Sequence, residues 1–191
     1  DDAVDLARVL LAILENPAHR IDKPLLDRLF TRTEKASFFG ARPAYTFLET
    51  APALIDRLGL KGAEDVWECA FAMAEDNPEN AVALLMKTQD ILDRLPPGAG
   101  TKRTETIFHL GRKLSSISSR VALRFIATSV LLVQRLDDEG LSHIADLASD
   151  LARLSQTAAV TFVDIAPSVV DKSGRDGLMK IGALGIDTAR Q

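Results

Sequence analysis

Apolar positions along this chain recur three and four residues apart, and the whole pattern returns every 37 residues. Leu10, Phe47, Leu84, Phe125 and Phe162 form one column, with steps of 37, 37, 41 and 37 residues; the long step contains Pro96-Pro97-Gly98-Ala99-Gly100, a local insertion. Ala44, Ala81, Ala122 and Ala159 stand three residues before the last four of these. A second block opens at Leu29, Val66, Ile107, Ile144 and Ile181, and four residues on come the small side chains Thr33, Ala70, Gly111, Ala148 and Gly185. Three-and-four spacing is the stripe of an amphipathic helix, and a fixed period of this length is the mark of stacked helical units. The spacing predicts helices near 2–15, 23–37, 43–58, 63–75, 79–94, 102–116, 119–136, 140–153, 156–171 and 176–190. No run alternates with period two, so no strand is expected. The predicted fold is all-α: a right-handed α-α superhelix, or solenoid, of about five two-helix repeats of 37 residues. The repeats run roughly 5–41, 42–78, 79–119, 120–156 and 157–191, in a single domain over 1–191.

Breakers fall between the stripes at Asn16-Pro17, Gly59 with Gly62, Asn77-Pro78, Pro96 to Gly100, Asp137 to Gly140 and Ser173 to Gly177. The phrase Ala-x-x-Phe-(x)4-Pro, from Ala44 to Pro52 and from Ala159 to Pro167, places a proline inside a helical pattern. A kink or restart is expected there, because proline removes one backbone donor and crowds the preceding turn. The small column predicts close helix approach at Gly111 and Gly185. The first repeat is the most diverged. Ile181 to Ala189 keeps the inner-repeat pattern, which predicts a continuing polypeptide or a partner covering this end.

Composition adds little to the picture. The chain is 47% hydrophobic and 26% charged, which suits a folded domain, and its 5% aromatic content points to a core of Leu, Ile, Val and Ala. The longest apolar stretch, Ile126 to Val133, is far short of the roughly 20 residues that span a bilayer. No basic segment followed by an apolar one marks a secretory signal. A lone Cys69 leaves no internal disulfide framework and leans toward a cytoplasmic location.

Candidate chemistry is sparse. His19, His109 and His143 lie in different repeats without metal-ligand spacing, and Cys69 beside Trp67 reads as a buried small hydrophobe. Ser142, His143 and Asp146 share one helix but point in different directions, so they read as a polar helix start and not as a hydrolase triad. Gly98-Ala99-Gly100-Thr101-Lys102 has the wrong order and context for a phosphate loop. Asp137-Asp138-Glu139-Gly140 reads as an acidic turn at a helix N-terminus. No catalytic, cofactor-binding or metal residue is therefore assigned, and no enzyme activity or cofactor is expected.

Charge is unevenly laid out. From Lys102 to Arg135 there are seven basic residues against the single acid Glu105, a net of +6 within a chain of formal charge −4. Arg112, Lys113, Arg120 and Arg124 make the candidate binding patch: two at the end of one helix and two on neighbouring turns of the next. Such a block attracts an acidic protein or a phosphate backbone, unless acids of the neighbouring repeats neutralise it as an ordinary solvated face.

The phrases Val66-Trp67 to Met73-Ala74, Ile144-Ala145 to Leu151-Ala152 and Ala159 to Pro167 resemble the helical repeats that precede the von Willebrand factor type A domain in nitric oxide reductase activation and rubisco-activation accessory proteins. Generic HEAT-like solenoids contain similar phrases. The resemblance covers roughly residues 44 to 191. It implies a bacterial-type accessory region that works with a MoxR-type AAA+ ATPase on a metalloenzyme or other target complex. The Asp-x-Ser-x-Ser metal motif of the type A domain is absent, so the resemblance brings no metal site. The expected function is a protein-binding scaffold or adaptor, with nucleic-acid binding through the basic 102–135 segment as the alternative.

Overall fold

The computed structural model describes residues 8, 9, 11, 22–95 and 100–190, without the side chains of residues 100 and 101. These residues are almost wholly α-helical and include no strand. Seven helices follow one another: α1 (Lys23–Ser37), α2 (Ala41–Asp76), α3 (Pro78–Arg94), α4 (Gly100–Ser115), α5 (Ser119–Leu132), α6 (Asp138–Leu154) and α7 (Gln156–Ala189). Two of them are double. Non-helical backbone at Gly59 (φ 70°, ψ 170°) divides α2, and Gly174 (φ 66°, ψ −171°) divides α7. The helical segments are thus 41–58 and 60–76, then 156–173 and 175–189. Every helix expected from residue 23 onward is present. The helix expected near 2–15, His19, the Asn16-Pro17 breaker and the Pro96 to Ala99 part of the insertion lie outside the described residues.

Two sequence columns explain where the chain turns. Twelve residues after the Phe47 column stand Asp22, Gly59, Pro96, Asp137 and Gly174. Asp22 and Asp137 are N-caps, whose carboxylates accept hydrogen bonds from the amides of Leu25 (2.9 Å) and Gly140 (2.8 Å). Such a cap contributes about 1 kcal/mol. Gly59 and Gly174 make the same corner with a positive φ, which costs other residues roughly 1–2 kcal/mol. Seven residues before the Phe column stand Gly40, Asn77, Ser118 and Ser155. Ser118 and Ser155 cap α5 and α7 by accepting from the amides of Val121 (3.3 Å) and Ala158 (3.2 Å), and Asn77 Oδ1 accepts from Glu79 N (3.0 Å). The restart expected at Pro52 and Pro167 falls instead seven residues later, at the two glycines. Both prolines are buried and lie within helical backbone.

The chain divides into two compact units, Asp1–Gln89 and Asp90–Gln191. In the first, α1 packs on α2. Leu29, Phe47, Val66, Trp67, Ala70 and Met73 are fully buried there. The Trp67 ring stands edge-on to Phe47 at 5.0 Å, and Phe71 lies 5.9 Å from Phe47. In the second unit α4 pairs with α5 and α6 with α7, while α4 also reaches α6 and α5 reaches α7, the helices one hairpin further on. Leu114, Val121, Phe125, Ile126, Leu141 and Ala148 are wholly buried in this unit.

At Gly182 the last hairpin approaches α6 closely. A Cβ there would lie 2.6 Å from Leu147 Cδ1 and 3.2 Å from Phe162 Cε2, whereas at Gly185 it would lie 3.4 Å from Leu151 Cδ2. The close contact thus comes one turn earlier than the small column predicts. Gly182→Leu is expected to cost about 1–3 kcal/mol, because the extra side chain must displace Leu147 and Phe162. A thermal melt checks this: an unchanged midpoint would remove the close approach from the account of this hairpin.

Candidate functional site

The four patch residues sit at the junction of α4 and α5. Arg112 and Lys113 occupy the last turn of α4, where a cation also favours the negative end of the helix dipole. Arg120 and Arg124 lie one turn apart on α5. The structure gives them different surroundings. Lys113 Nζ donates to Asp146 Oδ1 at 2.7 Å. Arg124 grips the Asp164 carboxylate with Nε and Nη2, the second bond being 3.1 Å. The hydrogen bond to Asp164, and secondarily its charge, raises the Arg124 guanidinium above its ordinary value. Arg112 and Arg120 are exposed, and Arg120 has no ion-pair partner among the described residues.

Two further cations of the basic segment are tied into unit 2. Arg103 Nη1 donates to the carbonyls of Val133 and Leu136 (the latter at 2.7 Å), and its Nε lies 3.6 Å from Asp138. It closes the C-terminal end of α5, whose last carbonyls have no helical partner. Arg135 donates to the Leu131 carbonyl at 2.6 Å and pairs with Asp171. At least four of the seven cations between Lys102 and Arg135 are therefore held by acids or carbonyls of the same unit. The acids flanking the segment in sequence supply one partner, Asp138. The other three, Asp146, Asp164 and Asp171, lie 33, 40 and 36 residues after their partners, as Asp138 lies 35 after Arg103, each about one repeat on.

The same register organises ion pairs in both units. Lys35–Glu68 (3.6 Å) and Lys113–Asp146 (2.7 Å) occupy the same two columns, each pair 33 residues apart. Arg28–Glu64 (2.7 Å), Arg42–Glu79 (2.6 Å) and Arg175–Glu139 (2.9 Å) also join positions one repeat apart. Exposed pairs like these contribute about 0–1 kcal/mol each. Their significance is register: a slip of one helix against the next would separate them all.

The other sequence candidates are built into packing. Asp146 is engaged by Lys113, and His143 Nδ1 faces the Arg175 guanidinium, so Ser142, His143 and Asp146 form no relay. Cys69 is fully buried, away from the exposure that a thiolate nucleophile needs. Among the described residues no group of three or more His, Cys, Asp or Glu could hold a metal ion, and no helix is long and apolar enough to cross a membrane.

Two grooves open in unit 2. One, of about 480 Å³, lies among Arg135, Asp137, Asp171 and Arg175, but both its arginines are paired, with Asp171 and Glu139. The other, of about 430 Å³, is apolar. Leu151 and Phe162 form its floor, with Thr161, Ile165, Ile181 and Gly185 around it. Ile165 and Ile181 are each 39% exposed. No family model matches the chain, and neither the curated proteins nor the solved structures include a significant match to it.

Proposed function

We propose that the chain is a non-enzymatic scaffold or adaptor that binds other proteins, built as a right-handed superhelix of five 37-residue hairpins in one domain. The observation that carries this reading is the ion-pair register. Equivalent columns are joined one repeat apart at Lys35–Glu68 and again at Lys113–Asp146, as stacked hairpins require. Stacked hairpins present an extended surface, and the basic segment has much of its charge already matched. A cytoplasmic accessory role beside a MoxR-type AAA+ ATPase, acting on a metalloenzyme or similar complex, follows from the sequence resemblance and belongs to the same proposal.

Binding to random single- and double-stranded oligonucleotides separates this from the nucleic-acid alternative. The scaffold reading expects no submicromolar complex. It also expects little change on reversing Arg112, Lys113, Arg120 and Arg124 to Glu. The pair Arg112→Glu and Arg120→Glu leaves the Lys113–Asp146 and Arg124–Asp164 bridges in place and guards against a loss of fold. A phosphate-backbone complex would weaken by about a thousandfold or more between 50 and 200 mM salt if six or more phosphates were engaged. Submicromolar binding with that salt response, abolished in both variants, would replace the scaffold with a nucleic-acid reading. A protein partner held through apolar contacts should survive a high-salt wash.

A further inference from the structure

We draw no further inference here: the strongest candidate, the apolar groove over Leu151 and Phe162 in the last hairpin, carries none, because nothing in the structure shows what covers it.

Discussion

Trp67→Ala is expected to lower stability by about 3–5 kcal/mol, as large-to-small changes of buried aromatics do. Trp67 is fully buried, meets Phe47 edge-on at 5.0 Å and shares its cluster with Phe71. For a chain of this size each kcal/mol moves the melting midpoint by roughly 2–4 °C, so a drop of about 6–20 °C should appear in the thermal unfolding of the whole chain. Trp67→Phe should cost far less. The indole Nε1 is buried without a hydrogen-bond partner, and an orphaned donor of this kind costs about 1–3 kcal/mol of desolvation that phenylalanine avoids. Equal losses in the two variants would mean that ring volume is not what Trp67 contributes.

The Phe column offers a second large effect with an internal control. Phe125 is fully buried in the middle of unit 2, and Phe162, one repeat on, is 4% exposed on the floor of the open groove. Phe125→Ala leaves a cavity walled on every side and should cost about 3–5 kcal/mol. Phe162→Ala opens into an existing groove, where water and neighbouring side chains can fill the space, and should cost at least about 1 kcal/mol less. Chemical denaturation of the two variants measures the difference. Equal costs would argue that the last repeat is as tightly covered as the one before it.

Much of the fold is legible in the chain because the helix signal is repeated. A stripe such as Val66, Trp67, Ala70, Met73 is ambiguous once, but Ile144, Ala145, Ala148, Leu151 reproduces it position by position, and both stripes are buried. The turns were legible too, in a column that mixes Asp22 and Asp137 with Gly59 and Gly174: one residue type caps by its carboxylate, the other turns by its backbone, and the shared place matters more than the chemistry. Pro52 and Pro167 mislead as marks of a restart, because proline's fixed φ is helical and the backbone turns where glycine allows a positive φ, seven residues on. The candidate patch was legible only as composition. Its two bridged members find Asp146 and Asp164 at 33 and 40 residues, offsets set by how the hairpins lean and not by the nominal 37. The apolar groove leaves a sequence trace in Ile181, which continues a core column, but only the structure reveals that nothing described covers it.

The placement of Trp67 has an optical consequence. It is the only tryptophan, and Tyr45, the only tyrosine, lies in the same unit. The aromatic residues of the second unit are Phe108, Phe125 and Phe162, which absorb weakly and emit little. Indole emission therefore watches the first unit alone, while far-ultraviolet dichroism counts helices in both. If the halves unfold together, the two signals will trace one curve. If they unfold separately, a part of the dichroism will change while the emission stays still, and the second unit can be followed in the intact chain by what the light does not see.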